Sequence, residues 1–145
     1  MKKRAGDNGR AFVFSVLIGA FAGIAIQMLV TLSPEPFDPG ELWALPVMFA
    51  AYGALAVPFV AIGLALFGVP AAQVLRGQAH KWWVGIVAVV WGAVTGKLVF
   101  FAIDHSLFLG QYEIAKVGPY DMGLIYGVPT ALAWWLLHRR EIVSD

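Results

Sequence analysis

Four long apolar segments, separated by short polar stretches, dominate the pattern of the sequence. About 20 apolar residues at 1.5 Å each cross a hydrocarbon core of roughly 30 Å, and the first three segments exceed that length. The fourth segment is shorter and reaches the required length only if Tyr120 and His138 extend it into the interfaces. The pattern therefore predicts four membrane spans, at about 11–32, 42–68, 82–103 and 120–138.

The spans are predicted to be helices. A single strand cannot satisfy its backbone groups in lipid, and no repeated ten-residue alternation of apolar and polar positions suggests a barrel. The second span could continue to Leu75, because no charge follows until Arg76. Pro58 and Pro129 fall inside spans and are interpreted as kinks, which neighbouring helices in a bundle can tolerate. The expected fold is an all-α integral membrane protein, a four-span antiparallel transmembrane helix bundle.

Composition supports a membrane protein and excludes several other classes. Of the 145 residues, 60% are hydrophobic and only 13% are charged, about half the charge of a typical soluble domain. The chain contains no cysteine, which excludes disulfides, thiolate metal sites and thiol catalysis. A net charge of +1 is too small to indicate a nucleic-acid partner. We expect a single transmembrane domain over residues 1–145, with the lipid bilayer as its surroundings.

The basic residues predict the orientation. Eight of them flank the same side, at the N-terminus, between the second and third spans and after the fourth, whereas only Lys116 lies in a loop on the other side. The positive-inside rule therefore places both termini in the cytoplasm, in a bacterial-type inner membrane. The apolar run at the N-terminus lasts about 22 residues, longer than the usual 7–15 of a signal peptide, and is interpreted as an uncleaved span.

Small residues recur at a spacing of four in three of the spans. Such stripes let helix backbones approach closely, which replaces the hydrophobic driving force that lipid removes. We interpret them as packing surfaces within a bundle, and the alternative is that one stripe docks a partner or a second copy. The residues concerned are Ser15, Gly19 and Gly23 in the first span, Gly92 and Gly96 in the third, and Gly123 and Gly127 in the fourth.

Lys97 is a charge inside the third span, about 22 Å along the helix from Trp82. A lysine at the centre of a span costs about 2.5–3.5 kcal/mol on insertion scales. It either snorkels or pairs structurally, or it forms an intramembrane site for an anionic group. Asp121 and Gln27 are its candidate partners, whereas Asp104 is out of direct reach without water. All four residues form the candidate intramembrane polar site. On a helical wheel the glycines of this span lie roughly 100–140° away, so Lys97 is expected beside or away from the packing seam.

No pattern of residues predicts a metal site or a cofactor. One side of the membrane gathers six acids and His105, but their spacing resembles neither an EF-hand nor a zinc motif. We expect solvated loop charges there. Residues 104–119 include apolar positions at helical spacing and could form a short interfacial helix, or simply an anchored loop. The six acids are Glu35, Asp38, Glu41, Asp104, Glu113 and Asp121.

Catalytic signatures are also missing from the sequence. Ser106 adjoins His105, but neighbours in sequence do not form a Ser–His dyad, and no G-x-S-x-G motif is present. We therefore expect a non-catalytic membrane protein that packs with itself, as a homo-oligomer, or with a larger membrane complex. One alternative is a small oligomeric channel or transporter with a polar pocket around Lys97 in the outer leaflet. Another is a membrane enzyme that acts on lipid near Asp104 and His105.

Overall fold

A computed structural model of the chain describes residues 3–31, 42–107, 110–118 and 120–143. Regular structure in these residues is entirely helical, without a sheet. Helix α1 covers Lys3–Thr31, α2 covers Ala44–Gly63, α3 covers Val69–Leu75, α4 covers Trp82–Leu107 and α5 covers Met122–Val143. The acidic loop at 33–41, with its three predicted outer acids, lies outside the described residues.

Helices α2 and α3 form one helical rod of 32 residues, Ala44–Leu75, interrupted by a π-helical turn at Leu64–Gly68. The helix continues through Pro58, and the π turn comes just before Pro70, which has no backbone N–H to donate. At 1.5 Å per residue the rod is about 48 Å long, more than the roughly 30 Å of a hydrocarbon core. The second apolar segment therefore extends to Leu75, the longer of the two predicted limits.

Three helical segments are long and apolar enough to cross a membrane: Gly9–Thr31, Ala44–Leu75 and Trp82–Leu107. They correspond to the first three predicted spans. Helix α5 has 22 residues but is less apolar and does not belong to this group. The described structure thus supports a membrane protein with three candidate transmembrane helices.

Helix α5 is the centre of the packing. It lies most closely against α4 and next most closely against α1, while α2 packs mainly on α1. A buried apolar cluster joins α1, α2 and α5 and is formed by Ala11, Val16, Ala20, Val60, Leu64 and Trp134. The ring of Phe12 meets the indole of Trp134 edge to face, with 6.2 Å between the ring centroids. Helix α2 touches α4 at few points, and this leaves a groove between them.

Candidate functional site

The side chain of Lys97 points into the protein, towards the start of α5. Its ammonium lies 2.7 Å from Oδ2 of Asp121. It also donates to the backbone carbonyls of Ile114, at 2.8 Å, and Lys116, at 2.9 Å. An ammonium has three N–H donors, and two of them are used by these carbonyls. The contact with Oδ2 of Asp121 is an ion pair without hydrogen-bond geometry. The residue is 8% exposed, which makes it a buried, internally paired charge.

Asp121 immediately precedes α5 and caps that helix. Its Oδ1 accepts a hydrogen bond from the backbone N–H of Leu124 at 3.3 Å and a shorter one from the Tyr112 hydroxyl at 2.6 Å. A carboxylate at this position also interacts favourably with the positive end of the helix dipole. Asp121 therefore balances the Lys97 charge, begins α5 and holds Tyr112 with one side chain.

Residues 110–118, which we call the strap, connect α4 to α5 without forming a helix. Of the two alternatives for this connection, a short helix or a loop, the described part is therefore a loop. Asp104 fixes the start of the strap, because its Oδ2 accepts from the Tyr112 backbone N–H at 2.7 Å. Gly110, at φ 66°, provides the left-handed turn that brings the chain back over His105. Lys97 binds the carbonyls further along the strap, so two charged residues of α4 hold it.

The ring of Tyr112 lies against Phe100, with 5.6 Å between the ring centroids. Burial raises the pKa of the Tyr112 hydroxyl, and its hydrogen bond to the negative Asp121 raises it further. The phenol therefore keeps its proton, and its hydrogen bond to the carboxylate, at alkaline pH values where a free tyrosine ionises. Sequence reasoning missed Tyr112 as a site residue, because nothing in the spacing of the strap links it to Asp121.

Of the four residues proposed from sequence as a polar site, three belong to one network. Lys97 contacts Asp121 directly, and Asp104 joins them through Tyr112 and the strap. Gln27 lies elsewhere: its Oε1 accepts a hydrogen bond from the hydroxyl of Tyr126 on α5 at 2.8 Å. Gln27 and Asp104 both border the groove between α2 and α4, whereas Lys97 does not.

The predicted glycine stripes lie at helix contacts inside the chain. Gly92 and Gly96 of α4 face Gly123 and Gly127 of α5, and a methyl group added at Gly92 would lie 2.5 Å from the carbonyl oxygen of Gly127. In the same way, Gly19 and Gly23 of α1 contact α5 side chains, those of Thr130 and Tyr126. Ser15 is fully buried, and its hydroxyl donates to the Ala11 carbonyl at 2.7 Å.

The position of Lys97 corrects the expectation from the helical wheel. A methyl group added at Gly123 would lie 2.6 Å from both the backbone nitrogen and the Cα of Lys97. Lys97 is therefore part of the seam between α4 and α5, not beside or away from it. The wheel failed because α5 approaches so closely at the glycines that the neighbouring position is covered as well.

The groove between α2–α3 and α4–α5 has a volume of about 910 Å³. Gln27, Tyr126 and Asp104 lie towards one end, and Trp135 and His138 towards the other. Two contacts bridge it. The indole Nε1 of Trp91 donates to the carbonyl of Phe67, in the π turn, at 3.2 Å, and a methyl group added at Gly63 would lie 3.3 Å from Val99.

Among the described residues, no three His, Asp or Glu side chains gather as metal ligands would. His105 stacks on Phe101, with 5.0 Å between the ring centroids, and the neighbouring Asp104 carboxylate is engaged by Tyr112. Comparisons of the chain with protein-family models, with curated proteins and with solved structures find no match.

Proposed function

We propose that this chain is a four-span, non-catalytic protein of the inner membrane, with both termini in the cytoplasm, that packs with itself or with a larger membrane complex. Support for the fourth span comes from the packing of α5 between α1 and α4, two candidate spans. At 22 residues α5 is about 33 Å long, enough to cross a hydrocarbon core of roughly 30 Å. The eight basic residues on one side support the orientation.

Several polar groups of the helices are bonded within the chain, which favours a non-catalytic role. Lys97 binds two carbonyls and forms an ion pair with Asp121, and Gln27 pairs with Tyr126. The hydroxyls of Thr95 and Thr130 donate to carbonyls one turn earlier in their own helices, at 2.7 Å and 2.6 Å. A group bonded to its own chain in this way must give up that bond before it binds a substrate.

We propose that the exposed face of α2 is the surface that contacts a partner. The glycine stripes of α1, α4 and α5 are already used inside the chain, so they are not available to one. Helix α2 and the π turn after it have a further line of small residues that is exposed in the described part of the chain. The line is formed by Ala50, Ala54 and Pro58 of α2 and by Ala65 of the π turn. In lipid such a line permits close approach of another helix.

The proposal is tested by measuring the mass of the protein after gentle extraction from its membrane. We expect a stable assembly, as a homo-oligomer or with another protein, that Ala54→Trp disrupts and Ala102→Trp does not. Ala102 is an exposed alanine on α4 and provides the matched control. A monomer in both the parent protein and the control would contradict the proposal.

A flux measurement on the same protein distinguishes the non-catalytic role from the alternative, a channel or transporter. That function needs a homo-oligomer whose ion or solute flux in vesicles depends on the polar residues near the Lys97 end of the groove. Gln27→Leu would then abolish the flux without changing the mass of the assembly. The two hydrogen bonds and the ion pair that Lys97 makes with its own chain count against this alternative, because a residue that lines a pathway must exchange partners with what passes.

A further inference from the structure

We propose that the groove between α2–α3 and α4–α5 binds an anionic phospholipid, with an acyl chain inside the groove and the headgroup beside Arg139. This site is separate from the exposed α2 stripe, so it does not depend on the oligomeric state proposed above. The inference rests on the polarity of the groove, its width and its charge.

The middle of the groove offers no free polar group among the described residues. Thr95, Thr130 and Trp91 line it, but each donates its hydrogen bond to a backbone carbonyl of the chain. The remaining walls are mainly aliphatic and aromatic side chains together with the glycines of α4 and α5. A polar solute or an ion would lose its hydration here without compensation, whereas hydrocarbon would not.

The width of the groove favours an acyl chain over a helix. The hydrogen bond from Trp91 to Phe67 and the close approach of Gly63 to Val99 tie α2 to α4. A helix with side chains is about 10–12 Å across and could not enter between α2 and α4 while these contacts persist. A flexible chain can pass beneath them. A second copy of this protein therefore fits the groove poorly.

The length of the groove matches the membrane. Its α4 wall runs from Val84 to Asp104, which is about 30 Å at 1.5 Å per residue and close to the thickness of the hydrocarbon core. Lipids of one leaflet need about half of that length. An acyl chain that enters at the Val84 end thus reaches the middle of the membrane within the groove, passing Ala88 on one wall and Ala71 on the other.

Charge determines which end receives the headgroup. His138 lines the end near Val84, and the Arg139 guanidinium lies over the ring of Trp135, another lining residue, 5.4 Å from its centroid. The opposite end has the carboxylate of Asp104. Basic pockets between transmembrane helices attract anionic lipid headgroups. An anion is therefore favoured at the Arg139 end and repelled at the other.

The test measures lipid retention by native mass spectrometry, after reconstitution of the full chain in equal amounts of phosphatidylglycerol and phosphatidylcholine. We expect retained lipid to be enriched in phosphatidylglycerol by about fivefold, the factor corresponding to one basic residue near the membrane surface. Arg139→Gln should remove this preference. Arg10→Gln should keep it, because Arg10 is exposed on α1 and does not line the groove.

A second pair of variants tests the acyl chain. Ala88→Phe fills the groove and should abolish lipid retention, while Ala102→Phe, on the same helix but outside the lining, should not. Ala71→Phe narrows the groove from the opposite wall and replaces Ala88→Phe if that variant does not fold. Equal retention by the filled and control variants would overturn the proposal. So would an unchanged lipid preference in Arg139→Gln, or cross-links between two copies through groove residues.

Discussion

The ammonium of Lys97 lies 2.7 Å from Oδ2 of Asp121, and both residues are more than nine-tenths buried. The pair connects the middle of α4 to the first residue before α5. Lys97 also binds two carbonyls of the strap, so its side chain links α4, the strap and the start of α5. A buried ion pair contributes little net stability compared with apolar residues of the same shape, but breaking it leaves an unpaired charge.

We therefore predict that Lys97→Met destabilises the protein by about 3–5 kcal/mol, the range for loss of one partner of a buried pair. Asp121→Leu should cost a similar amount, and the double variant should cost clearly less than the sum of the two. Unfolding in mixed micelles measures all three, with Lys81→Met as an exposed control. Strict additivity of the two single changes would show that the side chains are not coupled.

The glycines between α4 and α5 give a second prediction. Gly92→Ala would place a methyl group 2.5 Å from the Gly127 carbonyl oxygen, so one of the helices must move. We expect a loss of about 1–3 kcal/mol in the free energy of unfolding, the usual cost of overpacking. Gly9→Ala is the matched control, since a methyl group there meets nothing within 4 Å and should be neutral or slightly stabilising. Equal stability of the two variants would contradict the close contact.

The strap gives a prediction with a pH dependence. Tyr112→Phe keeps the ring contact with Phe100 but removes the hydrogen bond to Asp121, and should cost about 1.5–3 kcal/mol, as for bonds to charged groups. The pKa of Tyr112 is raised in the folded protein, so the folded state keeps its proton above about pH 10, where an unfolded tyrosine loses it. Stability from this group is complete below about pH 10 and decreases above it.

Chemical unfolding at several alkaline pH values tests this pH dependence of the contribution of Tyr112 to stability. The free energy of unfolding of the parent protein should fall more steeply above about pH 10 than that of Tyr112→Phe. The difference between the two proteins should therefore be largest near neutrality and shrink as the pH rises. A difference that grows with pH would mean that the hydroxyl is not buried against the carboxylate.

The topology can be measured directly because the chain has no cysteine. Single-cysteine variants Lys81→Cys, Glu113→Cys and Arg139→Cys should react differently with a thiol reagent that does not cross membranes. In intact cells we expect labelling of Glu113→Cys alone, with the other two labelled only after permeabilisation. Labelling of both Glu113→Cys and Arg139→Cys in intact cells would mean that α5 does not cross the membrane.

The helices could be predicted from sequence because long uncharged runs leave few alternatives in lipid. Asp121 could also be named as a partner of Lys97, since few acids lie within its reach. The strap carbonyls that bind Lys97 could not be predicted, because every residue has a carbonyl and only the conformation of 110–118 decides which ones converge. The burial of Lys97 was missed for a similar reason: a wheel gives the direction of a side chain but not how near the next helix comes.

The central place of α5 has a consequence for biogenesis. Among the helices it leaves the ribosome last, yet it fills the space between α1 and α4 and provides the acid that neutralises Lys97. Until it arrives, α4 carries an unpaired cation and an open row of glycines. In the proposed four-span arrangement, the entry of α5 into the bilayer would depend on the helices already there, because α5 is not among the three helices apolar enough to be candidate spans. The last helix of that arrangement would then be held in the membrane by its neighbours and not by its own apolarity.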